Sequence, residues 1–95
     1  MTAESELVDA VTRSRFEWTI DTQVAVVTYR REGQTLWLDH AGVPAALGGR
    51  GMGSQLVEAV LQTVRRRGER VVPVCSFIAT YIARHPEHAD LVASD

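Results

Sequence analysis

A chain of 95 residues, 45% hydrophobic and 23% charged, can form one packed core, is too short for two, and has too much apolar content for a disordered polymer. A formal net charge of −2 removes the simplest electrostatic argument for nucleic-acid binding, so no nucleic-acid partner is expected. The single cysteine, Cys75, excludes an internal disulfide framework and a paired-cysteine zinc site, and favours a reducing, cytoplasmic compartment. Residues Met1 to Val11 include Glu4, Glu6 and Asp9 and lack the basic start and apolar run of a signal peptide. No apolar run approaches the ~20 residues that cross a bilayer. The expectation is a soluble single domain spanning residues 1–95, with residues 1–13 a poorly defined arm, and a monomer or weak dimer by default.

From Phe16 the alternation of Phe16, Trp18 and Ile20 with Glu17, Thr19 and Asp21 has the period of a half-buried strand. Asp21-Thr22-Gln23 then turns the chain into Val24–Tyr29, a β-branched and aromatic run suited to a second strand. Glu32-Gly33-Gln34 supplies another turn, and Thr35–His40 forms a third strand, with Leu36, Leu38 and His40 expected on one side. Together these predict an antiparallel three-stranded meander. After Val43-Pro44 and a glycine-rich stretch, Met52, Leu56, Val57, Val60, Leu61 and Val64 fall on one helical stripe. Gln55, Glu58, Gln62, Arg65 and Arg66 lie on the opposite face, and Gly68 is placed to end the helix in the left-handed conformation. Val71–Cys75 reads as a strand buried on both faces, pairing in parallel through a right-handed crossover. Pro73 is awkward there, because it has no N–H to give the ladder. A final helix, Phe77–Arg84, pairs Phe77 with Tyr81 and Ile78 with Ile82 and is stopped by His85-Pro86. The fold class is α+β with a mixed sheet.

A strand, a glycine-rich turn and a helix in this order can make an anion site, because the first helical turn presents unpaired N–H groups at the positive end of the dipole. Gly48-Gly49-Arg50-Gly51-Met52-Gly53 is that turn: Gly49, Gly51 and Gly53 permit close approach of the backbone to a pyrophosphate, and Arg50 adds a side-chain contact. The bland alternative is a tight strand-to-helix connection. No Lys-Ser/Thr follows, as a Walker-type nucleotide loop requires, nor the acidic ribose ligand of a long Rossmann unit.

The turn resembles the cofactor signature of the Gcn5-related N-acetyltransferases, (Gln/Arg)-x-x-Gly-x-(Gly/Ala). Gly48 departs from it by standing where that family carries Gln or Arg, so one side-chain phosphate contact is lost. The resemblance extends from about Arg15 to Val92 and is closest to small, minimal members of the family. It is carried by Arg15-Phe16-Glu17, Val43-Pro44, Gly49–Ser54, Val71–Cys75 and His85–Val92. It implies a GNAT-like fold that binds acetyl-CoA, with Val43 and Gly48 to Ser54 (Gly48, Gly49, Arg50, Gly51, Met52, Gly53, Ser54) around the cofactor. It also implies a slot for the pantetheine arm between the strand before the turn and the strand after the helix, where Pro73 fits a gap in the ladder. Cys75 is implied as a catalytic or acetyl-accepting thiol, which a helix N-terminus at Ser76-Phe77 would favour as thiolate. Its bland reading is a small buried hydrophobe. Tyr81 is implied as the acid that protonates departing CoA, or else packs in the apolar stripe. His40, at the strand end, is the candidate base for an amine, or else a hydrogen-bonded strand-end histidine. His85 and His88 lack the i, i+4 spacing of a helical zinc site, so no metal is assigned. The acceptor, a small amine or a protein, is unspecified. A non-catalytic CoA-binding or sensing module and a protein-interaction domain are the rival readings.

Overall fold

The computed structural model describes residues 7–20, 22–45 and 51–93. Residues 7–13 carry no alternation that marks a strand, yet the described residues begin with β1 (Leu7–Ala10) and one 3-10 turn, Val11–Arg13. Ser14 reverses direction in the left-handed region, φ 54, and its carbonyl accepts the Tyr29 N–H at 3.0 Å. β1 then pairs antiparallel with β2 (Arg15–Ile20), Leu7 opposite Trp18. β2 pairs antiparallel with β3 (Gln23–Glu32) and β3 with β4 (Thr35–Gly42). Helix α1 (Met52–Arg66) leads to β5 (Arg70–Pro73), which joins β4 in parallel to complete a five-stranded sheet ordered β1-β2-β3-β4-β5. Helix α2 (Ser76–Arg84) and a 3-10 segment, Pro86–Leu91, follow. The α+β architecture and the meander are as the sequence predicts, with one more strand on the meander's outer edge.

Alternation decides which sheet face is dry. Phe16 and Trp18 of β2, Ala25, Val27 and Tyr29 of β3, and Leu36 and Leu38 of β4 are buried together with Leu56, Val57, Val60, Leu61 and Val64 of α1 and Ile78, Tyr81 and Ile82 of α2. Both helices therefore cover one face. The other carries Glu17, Val24, Thr28, Arg30 and Trp37, with the Arg30 guanidinium 5.1 Å over the Trp37 ring. α1 ends as its glycine predicts: Gly68 has φ 70, its N–H reaches the Arg65 carbonyl at 3.1 Å, and the Glu69 N–H reaches Val64 at 3.0 Å.

Two expectations need correction. The β3–β4 register shifts between Thr28 and Tyr29: Tyr29 faces Leu38, but Thr28 faces His40. Asp39 is thus an extra residue, a bulge that reverses the facing of the residues after it. His40 shares the outer face with Thr28 and is exposed, and does not continue the side of Leu36 and Leu38. The second correction concerns β5, which is an edge strand that stops at Pro73 and is not a strand buried on both faces through Cys75. Val71 is fully buried, flanked on its far side by a parallel bridge to Val92, whereas Val74 is 50% exposed.

β1 is held by charge. Asp9 accepts from the Tyr29 hydroxyl at 2.5 Å and from Arg67 at 2.8 Å, with Arg31 at 3.8 Å, and only 8% of its side chain is exposed. Arg31 also donates to Glu69 at 2.5 Å, so β1, β3 and the end of α1 share one network. Replacing Asp9 by Ala strands a buried phenol and removes the counter-charge of a partly exposed guanidinium pair. The expected cost is about 2 kcal/mol, read as a lower urea midpoint at unchanged m-value.

Candidate functional site

The parallel β4–β5 ladder runs from Thr35–Arg70 to Leu38–Pro73 and stops there. Pro73 has no N–H to continue it. The Leu38 carbonyl instead accepts both the Val74 N–H at 3.1 Å and the Cys75 N–H at 3.0 Å, which turns the chain away from the sheet. β4 goes on to Gly42, still paired with β3. Beyond Leu38 the edge of β4 therefore has no β5 partner, and the two strands form a fork. Cys75 is half-buried beside its apex, packs against the core, and stands as the residue before α2, its carbonyl accepting the Ala79 N–H at 2.9 Å.

The start of α1 lies next to this fork. Gly51 precedes the helix with φ 70, a conformation suited to glycine, and no side chain caps it. The first intrahelical bond is Gln55 N–H to Gly51 O at 3.1 Å, so the amides of Met52, Gly53 and Ser54 have no acceptor within the helix and none among the described residues. Gly53 sits close to its neighbours: a Cβ there would lie 3.0 Å from Phe77 Cζ, so the ring would have to give, and 3.8 Å from Val43 Cγ2, an ordinary contact. Val43, Gly53 and Phe77 thus bring together the exit of β4 and the starts of both helices. Gly48, Gly49 and Arg50 lie outside the described residues.

Tyr81 is buried, but its partner is not Phe77, which is 46% exposed; it stacks on His85, ring centroids 3.9 Å apart. Its hydroxyl donates to Glu58 Oε1 at 2.5 Å. His88, 1% exposed, places Nε2 2.8 Å from the same oxygen, and Gln62 donates to Glu58 Oε2 at 2.7 Å. Hydrogen bonds from Tyr81 first and Gln62 next hold the Glu58 carboxyl down at about 2. Burial, then the bond to Glu58, pushes the Tyr81 phenol well above its usual range. With Nε2–H donating to Glu58, the Nδ1 of His88 is a buried acceptor without a partner among the described residues. Sequence reading put Glu58 on the solvent face of α1 and did not find this cluster. The available signal was its place beside Val57 and Leu61 at the edge of the apolar stripe.

The predicted site residues therefore divide. Val43, Gly51, Met52, Gly53, Ser54 and Cys75 gather around the fork and the head of α1. Tyr81 lies on the helical side with its proton engaged, and His40 lies on the opposite sheet face. Two adjoining surface cavities flank the helices: one of about 360 Å³ by Ser54, Phe77 and Arg84, the other of about 450 Å³ by Trp18, Gln55 and Glu58. Ser54, Tyr81 and His85 line both.

Residues 15–91 match the GCN5-related N-acetyl-transferase family, and the chain belongs to it. Among solved structures it is similar to a GCN5-like protein of Staphylococcus aureus, proposed to be an N-acetyltransferase and determined in solution by NMR. The two share 25% identity with a TM-score of 0.71, over 99% of this chain and 93% of that one. No curated protein matches the sequence.

Glu58 titrates lower in the folded chain than in the unfolded one, so its contribution is complete above about 4.5 and is lost as pH falls toward about 2. Glu58→Gln should lower stability at neutral pH, and its deficit against wild type should shrink as pH falls from about 4.5 toward about 2, which flattens the acid limb. Urea midpoints measured across pH 2 to 7 check this.

Proposed function

We propose that the chain binds acetyl-CoA and transfers the acetyl group to an amine or another nucleophile by way of Cys75. The observation that supports this most directly is the fork, which combines an edge of β4 without a β5 partner, a proline-terminated β5 and Cys75 beside the apex. Acetyl-CoA supplies an activated thioester whose acyl carbon accepts a nucleophile. The first-turn amides of Met52, Gly53 and Ser54, without an acceptor among the described residues, suit its diphosphate, with Gly51 contributing no side chain of its own. The edge of β4 from Asp39 to Gly42 offers main-chain groups to an extended amide-bearing arm, as a sheet edge does to an added strand.

Cys75 Sγ attacks the acyl carbon. A sulfur–carbon bond forms as the bond to the CoA sulfur breaks with its electron pair, and the thiol proton ends on the departing sulfur. The acceptor then attacks acetyl-Cys75, its new bond to the acyl carbon replacing the one to Sγ, and the proton it loses restores the thiol. A direct route would need His40 as base and Tyr81 as acid at one centre. Their positions on opposite sides of the sheet, and the bond from Tyr81 to Glu58, favour Cys75.

Intact-mass measurement after incubation with acetyl-CoA should show one acetyl on the wild-type chain and none on Cys75→Ala, with CoA affinity changed less than about threefold. An unmodified thiol during turnover would return the direct route. Gly51→Asp has open space for its side chain, and aspartate tolerates this backbone region. It should keep the circular dichroism spectrum yet weaken CoA binding at least about tenfold by calorimetry, because a carboxylate meets the diphosphate.

A further inference from the structure

The cavity of about 450 Å³ beside α1 is lined by Trp18, Gln55, Glu58, Tyr81 and His85, none of which acyl transfer through Cys75 employs. Its carboxylate, Glu58, is held ionised at neutral pH by the bonds it accepts. Asp9, Glu17, Asp39, Glu69 and Asp90 each have an arginine within ion-pair distance, whereas Glu58 has only His88 among the described residues. His88 gives Glu58 its Nε2–H and keeps Nδ1 as an acceptor, because an imidazolium would leave a second buried N–H with nothing to receive it. The histidine therefore brings Glu58 a hydrogen bond and no counter-charge.

The hydrogen-bonding sites of this carboxylate are nearly filled while its charge stands uncountered. Oε1 accepts from the Tyr81 hydroxyl and from His88, Oε2 accepts from Gln62, and of about four lone-pair sites roughly one remains. A hard metal ion is held by several directed oxygens and finds too few here. A cation that has no N–H to donate asks only for negative charge and ring surface, and three rings line the same cavity, among them Trp18, the aromatic type that holds cations best. We infer that this cavity binds a small quaternary ammonium ion, its charge set against Glu58 and its methyl groups against Trp18, Tyr81 and His85. A quaternary nitrogen has no lone pair to take an acetyl group, so this ligand is not the acceptor of the transfer reaction, and its binding does not depend on CoA.

Choline chloride titrated into the full chain, followed through its amide and indole N–H resonances, tests this. Shifts should centre on the Trp18 indole and on Gln55, Glu58 and Ala59, leave the Trp37 indole on the opposite sheet face unmoved, and fit a Kd of about 1 mM. The neutral alcohol in which carbon replaces the charged nitrogen of choline should bind at least about tenfold more weakly. Gln55 is exposed and lines the cavity, so Gln55→Lys brings a competing cation to it without touching the hydrogen bonds of Glu58. That variant should keep the circular dichroism spectrum and weaken choline at least about fivefold, and Gln55→Glu should tighten it. Absence of shifts, shifts centred elsewhere, equal binding of the neutral alcohol, or indifference to Gln55→Lys each overturns the inference, and none of these outcomes bears on CoA binding.

Discussion

The loss of one hydrogen-bond donor organises the functional end of this protein. Parallel strands stay zipped while each residue can feed the ladder, and Pro73 cannot. At that point the Leu38 carbonyl accepts from Val74 and Cys75, so the chain leaves the sheet by turning around a single β4 oxygen. Had β5 continued beside β4 to Gly42, the edge of β4 would be covered and Cys75 would be an interior strand residue. The parting of the strands, the lack of a β5 partner on β4 past Leu38 and the placement of Cys75 thus have one cause. The bulge at Asp39 acts on the other side of the same strand, turning the residues past the fork over while their pairing with β3 is kept.

Much of this was legible in the sequence, and the reasons are local. The α1 stripe repeats over several turns, Gly68 closes it in the only way a left-handed position easily allows, and Pro73 announces its own misfit. The features that escaped reading depend on partners far along the chain. Glu58 looks like a solvated helix residue until Tyr81 and His88, 23 and 30 positions away, are brought onto its carboxylate. β1 has no periodic signature because its stability comes from Asp9 reaching Tyr29 and Arg67. The bulge leaves no mark in residue types: Thr35–His40 alternates as well with it as without it, and only the β3 register reveals that His40 has changed faces. Placing His40 on the side of Leu36 and Leu38 extrapolates a two-residue period through a position at which that period breaks.

The charged clusters also explain how so small a core positions a site. A domain of this size buries a limited apolar area, and here both helices are committed to one face of the sheet. The outlying pieces are fastened to α1 by polar links. Glu58 takes Tyr81 of α2 and His88 of the final 3-10 segment, Arg65 takes Asp90 through two bonds and the Glu87 carbonyl through a third, and Arg67 takes Asp9 of β1. Exposed pairs such as Arg65–Asp90 are individually weak. Those that bury a group, Asp9 and His88, contribute more, because breaking them leaves an unpaired polar atom in the interior.

α1 is therefore more than the crossover between two strands. Its last turns are tied to β1 and to the C-terminal segment, its middle to α2, and its first turn is left without a capping side chain. A helix fixed along its length holds its first-turn amides in place, and the lack of a Cβ at Gly53 lets that head lie close to Phe77 and Val43, at the start of α2 and the exit of β4. Rigid donors cost no reorganisation when an anion arrives. The polar links far from the fork thus hold α1, and with it the helix head, in place against the sheet and the C-terminal segment.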